Sequence, residues 1–343
     1  MPRSHLGLDI DFSGLKVAET VYRGRQKIVT KVAEQALPAG VVVDGRIMQS
    51  QLLAQELKSF LSKQDFQADS ATLGLRSAWI TVKTHRFPIM RPRELDKALE
   101  FEIPELVTFP ILSLKDVAYD YFVNNRTDHE IEVVVVACPR QHLQPYIELM
   151  HEVGLTLEGI DVPAFGWQEL LPDGNNRCFI EVSQEQTTIQ INLNGFFKVL
   201  RVVPVGALHF RKSIGDAFSV SAEEAQQLMH SKDLDYLLMK GEGSERALRA
   251  TTQQFLGSIL QTLDFVRAEL RASSFRSMLE EIVFLGDLAD VAGVAMMLQE
   301  EIDLTVRTLA DVSDLQIGFS FDRPGRLNSY GSAITLGLRG LDS

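Results

Sequence analysis

The sequence predicts an α/β protein of two lobes, with a small α+β unit inserted in the first lobe. One pattern occurs twice: an apolar, strand-like run stops at an acidic, small-residue turn and resumes as a strand, at residues 6–19 and at residues 178–191. Two such hairpins about half a chain apart indicate a duplicated fold. A third run, residues 282–289, is typical of a buried strand that ends on a turn at Gly286 and leads into a helix.

Composition and charge limit the classes of function. The chain has 343 residues, of which 45% are hydrophobic and 23% charged, so it can bury at least one large core. Its formal net charge of −12 argues against nucleic acid as a partner, because phosphate binding requires clustered lysine and arginine. Cys138 and Cys178 lie in apolar runs, which favours buried thiols in a reducing compartment. The chain shows no signal-peptide pattern and no membrane-length apolar run, so we expect a cytoplasmic protein.

The first lobe continues after its hairpin with a strand at residues 27–37 and a turn at residues 44–46. Ser50 is a candidate N-cap for the next helix, whose apolar residues recur at helical spacing and predict one face packed on a sheet. A strand at residues 70–75 follows. The apolar residues of the helix are Leu52, Leu53, Leu57, Phe60 and Leu61.

Residues 79–160 alternate strands and helices in a pattern that is enough for a small α+β unit. Residues 132–138 are apolar on both faces, so they predict a central strand. The last helix ends at Gly154, a residue that readily adopts the left-handed cap conformation. In chain order the predicted elements are a strand at 80–87, a helix at 93–101, strands at 117–122 and 130–138 joined by the turn 124–128, and a helix at 140–153.

The second lobe extends its hairpin through an Asn194-Gly195 turn, a strong hairpin signal, into a strand at residues 197–203. Ser221 and Glu224 have the spacing of a capping box, which predicts the start of a helix.

Three further helices are predicted toward the C-terminus. A long one covers residues 249–270, another covers residues 293–301 after the third turn, and a terminal one covers residues 330–339. The terminal helix is small and apolar, so we expect it to pack closely against the first lobe. The apolar stripe of the long helix consists of Leu256, Ile259, Leu260, Leu263 and Leu270.

The three turns form the candidate ligand site. Backbone amides at a strand-turn-strand element can hold phosphate where glycine leaves the approach open. An acidic residue beside such a turn can hold Mg²⁺ through water. The candidate cofactor-binding residues are Asp9, Ser13, Gly14, Lys16, Glu181, Ser183, Glu224 and Gly286, with Asp9 also the candidate metal ligand.

Other side chains at the same turns oppose a nucleotide. Asp11 stands where a phosphate site needs glycine, and its carboxylate repels phosphate. Asp287 and Leu288 follow Gly286, where they would intrude on an adenine slot. Alternatively, acidic and small residues at these turns only close hairpins. The order of the three elements therefore supports the fold more strongly than it supports nucleotide binding.

Six stretches over nearly the whole chain carry a resemblance to a known family. They are residues 7–10 with Lys16, 38–45, 101–102 with 109–110, 160–165, 221–225 and 336–340. Together, and in this order, they resemble PilM, the actin-like protein of type IV pilus machines. No single stretch is decisive, but their order is specific.

The resemblance implies an actin-like fold, which is a duplicated ribonuclease H-like fold, with the inserted unit that the family shares with the cell-division protein FtsA. On this basis the expected core of the first lobe is residues 1–78, completed by a helix at about 328–343. The inserted unit is expected at residues 79–159. The second lobe is expected at residues 160–343, with a helical part at about 207–275.

The chain departs from the family pattern at the nucleotide site. The resemblance implies glycine where Asp11, Ser183 and Asp287 stand, and aspartate in place of Glu181. It also implies a lysine shortly after Leu228, where methionine and histidine follow. We therefore expect ATP and Mg²⁺ to bind weakly or not at all, and enzymatic turnover is not the expected role.

The resemblance also implies that the cytoplasmic N-terminal tail of a PilN-like inner-membrane protein binds between the first lobe's core and the inserted unit. Residues 79–82, 95–106 and 107–110 would line this groove, with Pro104 breaking the helix. Exposed apolar surface of this kind seldom persists without a use. Alternatively, the apolar residues here pack only the core of the unit. The candidate partner-binding residues are Trp79, Leu106, Phe109 and Pro110.

The expected function is that of a cytoplasmic scaffold in the inner-membrane platform that assembles a type IV pilus, peripheral to the membrane through its partner. An assembly ATPase is a further expected partner. Two alternatives stay open at this stage. One is the cytoplasmic domain of GspL in type II secretion, which residues 86–88, 99–102 and 109–110 fit about as well. The other is an active actin-like ATPase that uses Asp9, Lys16 and Glu181.

Overall fold

The computed structural model describes residues 4–12, 14–76, 79–171, 174, 176–240, 245–312, 315, 317–320 and 326–342. The strands are β1 Ser4–Ile10, β2 Gly14–Arg23, β3 Gln26–Ala36, β4 Val42–Val43, β5 Arg46–Ile47, β6 Ser70–Gly74, β7 Thr81–Pro88, β8 Val117–Arg126, β9 Glu130–Pro139, β10 Thr156–Asp161, β11 Arg177–Val182, β12 Thr187–Leu193, β13 Phe196–Val203, β14 Glu281–Gly286, β15 Val306–Thr308 and β16 Gly318–Phe319. The α-helices are α1 Ser50–Lys63, α2 Pro92–Leu106, α3 Arg140–Val153, α4 Ala207–Phe218, α5 Ala222–Ser231, α6 Leu234–Lys240, α7 Glu245–Leu270, α8 Val294–Ile302 and α9 Gly331–Leu341.

Two sheets repeat one topology, which confirms the predicted duplication. The first sheet has the order β10-β6-β1-β2-β3-β16, and the second has the order β13-β12-β11-β14-β15. In both, a three-stranded antiparallel meander is followed by two strands that run parallel to its first strand. β1 and β11 are therefore equivalent central strands, and each ends at an acidic turn.

The first sheet is covered by helices. α1 and α3 bury Leu53, Leu57 and Tyr146 against Leu6 and Leu8 of β1. This face explains the helical spacing of the apolar residues in α1. Ser50 is the first helical residue, and Gln49 occupies the cap position without a side-chain hydrogen bond, so the prediction that Ser50 caps α1 is wrong.

The terminal helix α9 packs directly on the first sheet, as predicted. A Cβ atom at Gly7 of β1 would lie 1.9 Å from the carbonyl oxygen of Ala333 in α9. Any side chain at Gly7 would therefore force the helix away from the sheet. Ala333 and Ile334 also share a hydrophobic cluster with Phe179 and Leu285 of the second sheet. The helix thus joins the two sheets through one core.

A third sheet has the order β7-β9-β8, with β9 at the centre, as the apolar run at residues 132–138 predicts. α2 covers one face of this sheet and buries Leu95, Leu99 and Ile103. The three-stranded sheet and α2 are hereafter called the small unit. The prediction that Pro104 breaks the helix is wrong, because α2 continues to Leu106. Pro104 removes one backbone donor, that for the carbonyl of Glu100, and Glu100 is exposed, so water can satisfy this carbonyl.

The predicted domain limits stay a prediction, but the packing qualifies them. α3 packs with α1, and β10 pairs with β6, so residues 140–161 lie with the first sheet rather than with the small unit. Gly154 ends α3 in the left-handed conformation, as predicted (φ 86°).

The small unit is also attached to the second sheet. The Asn124 side chain donates to the Phe197 carbonyl oxygen at 2.9 Å and accepts from the Phe197 amide at 2.9 Å. The Phe165 ring meets Phe122 and Phe197 edge-on, with centroids 5.3 and 5.6 Å away. Asn124 is buried, so both hydrogen bonds are protected from water.

The buried face of α7 differs in one residue from the apolar stripe that the sequence predicts. The buried face of α7 consists of Leu248, Phe255, Ile259, Leu263 and Val266. Leu270, predicted in the stripe, is exposed.

The Asn194-Gly195 turn is confirmed, with φ of 54° and 79°. Both cysteines are buried free thiols, as predicted. Among the described helices, none has the length and hydropathy to span a bilayer.

Candidate functional site

The main candidate site is the cleft where the central strands of both sheets end. β1 runs parallel to β6, and β11 runs parallel to β14. Parallel strands end on the same edge of their sheet. The first sheet therefore presents Asp9 and Arg76 to the cleft, and the second sheet presents Glu181 and Asp287.

Arg76, two residues beyond β6, bridges the two sheets. Its Nε and Nη2 donate to Asp9 Oδ1 and Oδ2 at 2.7 and 3.0 Å. Its Nη1 and Nη2 donate to Glu181 Oε2 and Oε1, both at 2.6 Å. All four carboxylate oxygens therefore accept from one guanidinium. The Arg76 side chain is 8% exposed and each carboxylate side chain 5% exposed, so the cluster is shielded from water.

The charge of this cluster is fixed by its surroundings. Burial alone would lower the pKa of Arg76, but the adjacent Asp9 and Glu181 carboxylates raise it well above its ordinary value. Behind Glu181, Ser332 of α9 donates to Oε1 at 2.6 Å, and Trp167 Nε1 donates to Ser332 Oγ at 3.2 Å. The buried carboxylate is thus held from both sides.

Lys16 makes a second link across the cleft. Its Nζ lies 2.9 Å from Asp287 Oδ1, and Gln184 Nε2 donates to Asp287 Oδ2 at 2.6 Å. Burial alone would lower the pKa of Lys16, but the Asp287 carboxylate outweighs it and raises that pKa. Lys16, predicted as a phosphate ligand, is therefore paired with a side chain of the second sheet.

Asp11 lines a cavity of about 500 Å³ in front of these links, together with Asp44, Ser183, Glu185 and Arg76. Burial raises the pKa of Asp11, and the Asp9 and Asp287 carboxylates add to the rise while Lys16 opposes it. Burial and the nearby Asp44 and Asp11 also raise the pKa of Glu185. Acidic groups thus crowd the cavity.

The remaining predicted site residues have local structural partners. Ser183 donates from its amide and hydroxyl to the Gln186 carbonyl oxygen, which closes the β11-β12 turn. Gly286 has φ of 84°, and a Cβ there would lie 2.2 Å from the Val182 carbonyl oxygen, so contact between strands alone requires glycine. Gly14 opens β2 and donates to Asp11 Oδ1 at 3.0 Å. Ser13 lies outside the described residues.

Glu224 has a local structural role at the start of α5. Its Oε2 accepts from the Ser221 amide at 2.9 Å, and Ser221 Oγ accepts from the Glu224 amide at 3.3 Å. Both residues are exposed. The capping box predicted from the sequence is therefore confirmed, and it accounts for Glu224 without a ligand.

The side chains present do not fit a nucleotide with its magnesium ion. Mg²⁺ binds oxygens, yet each carboxylate oxygen of Asp9 and Glu181 already accepts from Arg76. A phosphate needs a free cation, yet Lys16 is paired with Asp287. Leu288 is buried in the core of the second sheet, and its place in an adenine slot stays a prediction.

A second candidate site is a groove of about 700 Å³ between the first sheet and the small unit, hereafter the Trp79 groove. The Arg46 guanidinium lies 5.0 Å from the Trp79 ring centroid, and the His142 ring meets Trp79 edge-on at 5.5 Å. Leu112, which also lines the groove, is 101% exposed, and Trp79 is 36% exposed. The groove also contains Phe109 and Pro110.

The four predicted partner-binding residues divide between the groove and the core. Trp79, Phe109 and Pro110 line the groove. Leu106 is not among the lining residues, and it packs in the core of the small unit with Phe109, which touches both. Sequence reasoning missed Leu112, the most exposed apolar side chain of the groove. Its only signal is its place in the apolar, proline-containing segment of residues 107–114 after α2.

Comparison with known families places the whole chain. The family model of the type IV pilus assembly protein PilM matches residues 7–338. The chain belongs to the PilM family. This assignment favours PilM over the secretion relative GspL, the alternative that the sequence left open.

Solved structures agree on the fold. A chain of a PilM-PilN type IV pilus biogenesis complex is 19% identical, with 99% of each chain covered and a TM-score of 0.82. The ethanolamine utilization protein EutJ from Carboxydothermus hydrogenoformans is 11% identical, with 98% and 90% covered and a TM-score of 0.58. MreB5 of Spiroplasma citri bound to AMPPNP is 12% identical, with 97% and 94% covered and a TM-score of 0.53. The predicted actin-like fold is confirmed.

Proposed function

We propose that this PilM-family chain is a scaffold of a type IV pilus assembly platform that binds the cytoplasmic N-terminal tail of a PilN-like inner-membrane protein in the Trp79 groove. The observation that carries the proposal is the groove itself, whose lining includes the exposed apolar side chains of Leu112 and Trp79. Family membership and the likeness to a PilM chain solved with PilN support the choice of partner. Binding would place the protein at the inner membrane through its partner.

The groove suits an extended peptide rather than a catalytic step. Trp79 is held by Arg46 on its face and His142 at its edge, so it offers a rigid apolar wall at low entropic cost. Phe109 packs in the core of the small unit and also lines the groove, so its position there is fixed by the core. Leu112 is free to be buried by an incoming apolar side chain. Such anchors typically dominate the affinity for a short segment.

The decisive variants are Leu112→Ser and Trp79→Ala, because neither removes a core residue. Phe109→Ala and Leu106→Ala would open cavities in the small unit, since both side chains are less than 10% exposed. The matched control is Phe101→Ser, an 82% exposed apolar residue of α2 that is not among the groove's lining residues. The probe is a synthetic peptide of the cytoplasmic N-terminal segment of the membrane protein encoded beside this chain.

We expect Leu112→Ser and Trp79→Ala each to weaken peptide binding by roughly tenfold or more, the effect of losing one buried anchor. Phe101→Ser should bind as the parent does. Calorimetric titration measures the affinities, and circular dichroism checks the folding of each variant. Parent-like affinity in both folded groove variants would remove the Trp79 groove from the proposal.

A further inference from the structure

Two cations of the chain itself, Arg76 and Lys16, lie in the cleft and pair with carboxylates of the second sheet. Asp9 and Glu181 end equivalent strands of the two sheets, and the Arg76 guanidinium lies between them with four hydrogen bonds of 2.6 to 3.0 Å. Two carboxylates facing one another without a cation would repel. A positive charge at this point is therefore necessary for the sheets to approach.

We propose that Arg76 is a resident replacement for a cleft metal ion, so that the two sheets are held in a closed arrangement by the chain itself and without nucleotide. The ion pair of Lys16 with Asp287 also holds the two sheets together, because it joins β2 to the turn after β14. This inference concerns the cleft alone and does not rest on peptide binding in the Trp79 groove.

The geometry favours arginine over any other residue at this position. A guanidinium presents donors in a planar fork that matches two carboxylates at once, whereas an ammonium is a point charge without that fork. Arg76 uses Nε, Nη1 and both hydrogens of Nη2. Ser332 and Trp167 fix Glu181 from behind, so the acceptor side of the cluster is as constrained as the donor side.

The charge balance of the cleft points the same way. Among the residues of the cleft and its cavity, Asp9, Asp11, Asp44, Glu181, Glu185 and Asp287 are acidic. Arg76 and Lys16 are basic, and Arg326 Nη2 lies 3.9 Å from Asp287 Oδ1. Arg76 and Lys16 are paired across the sheets, and Arg326 is paired with Glu34 and Asp287. An incoming polyphosphate would therefore meet net negative charge and no open cation. A metal ion would have to displace a buried guanidinium that makes four hydrogen bonds.

Removal of Arg76 should expose the carboxylates to a metal ion, and Trp167 provides an internal probe for that event. Trp167 is two hydrogen bonds from Glu181, through Ser332 Oγ. Terbium(III), a hard cation that prefers oxygen ligands, emits when a nearby tryptophan is excited. We expect Arg76→Ala to show tryptophan-sensitised terbium emission. Its affinity for terbium should be about tenfold or more higher than that of the parent. Arg91→Ala, which removes an exposed arginine paired with Glu94, is the matched control and should behave as the parent does.

Two further measurements make the proposal testable even if Arg76→Ala does not fold. Arg76→Lys keeps one charge but loses the fork, so its Tm should fall by roughly 5–10 °C without gain of terbium emission. The parent's Tm should be unchanged by millimolar Mg²⁺ with ATP. Terbium or Mg²⁺ with ATP binding to the parent as tightly as to Arg76→Ala would overturn the proposal. So would an Arg76→Lys variant as stable as the parent.

Discussion

Lys16 Nζ lies 2.9 Å from Asp287 Oδ1, and the two side chains are 13% and 2% exposed. The residues are 271 positions apart, yet they join the first hairpin to the turn after β14. Gln184 donates to the other Asp287 oxygen, so each oxygen of the carboxylate has a hydrogen-bond donor. The lysine that the sequence predicts as a phosphate ligand is thus paired with a carboxylate of the protein itself.

The first prediction is that Asp287→Asn destabilises the fold by about 3–5 kcal/mol, because it leaves a buried lysine without its counter-charge. Burial alone would raise the pKa of Asp287, but Lys16 and the hydrogen bond from Gln184 lower it below its ordinary value. With the folded pKa below the unfolded one, this stability exists above the unfolded pKa and is lost as pH falls through the folded pKa. Urea titrations near neutral pH and in acid measure the difference. A penalty that did not shrink in acid would contradict the assignment.

The second prediction concerns Asp11, whose pKa is raised by burial and by neighbouring carboxylates. With the folded pKa above the unfolded one, the ionised carboxyl destabilises the fold near neutral pH, and acidification relieves this. Asp11→Asn should therefore raise the Tm near neutral pH and converge with the parent toward about pH 4. The amide oxygen can still accept from the Gly14 amide, as the carboxylate does at 3.0 Å. Exposed Asp128→Asn is the control and should leave the Tm unchanged at both pH values.

Sequence patterns predicted those parts of the molecule that depend on local order. The acidic residues Asp9 and Glu181 mark the ends of equivalent strands, and the pairing of β1 with β2 and of β11 with β12 follows from the two hairpins. The capping box at Ser221 is also local, because the two hydrogen bonds join residues three positions apart. Periodicity failed only at helix ends, where propensity is weak and packing decides.

Contacts between the sheets were beyond sequence reasoning. Arg76 is 67 residues from Asp9 and 105 from Glu181, so no spacing relates them. The available signal was a charged residue just after the buried strand β6, on the edge where β1 also ends. Asp287 and Lys16 were each predicted at the cleft, but as obstacle and ligand rather than as partners. Their pairing depends on the distance between two sheets, which no local pattern encodes.

The third prediction tests the local role of the capping box. Ser221→Ala should cost about 1 kcal/mol, because it removes the acceptor for the Glu224 amide at the start of α5. Glu224→Gln should cost less, since its side-chain oxygen can still accept from the Ser221 amide. Thermal unfolding of the two variants gives the comparison. A larger loss from Glu224→Gln than from Ser221→Ala would show that the charge has a role beyond the cap.

The last prediction concerns the attachment of the small unit to the second sheet. Asn124 satisfies both backbone groups of Phe197, at 2.9 Å each, and its Nδ2 also donates to Glu132 Oε1 at 2.7 Å. Asn124→Ala would leave the Phe197 amide and carbonyl without these partners, and each unsatisfied buried group costs about 1–3 kcal/mol. Detachment should be local, because the three-stranded sheet keeps its own core with α2.

Hydrogen exchange measures this detachment directly. In Asn124→Ala the Phe197 amide should exchange faster by roughly tenfold or more, the equivalent of one lost hydrogen bond. Amides of β9, at the centre of the small unit, should keep their protection. Asn125→Ala, one position further along β8, is the control and should leave Phe197 protected. Equal loss of amide protection in β9 and at Phe197 in Asn124→Ala would contradict this prediction. The small unit would then depend on the second sheet for its own folding, and Asn124 would be part of one cooperative core.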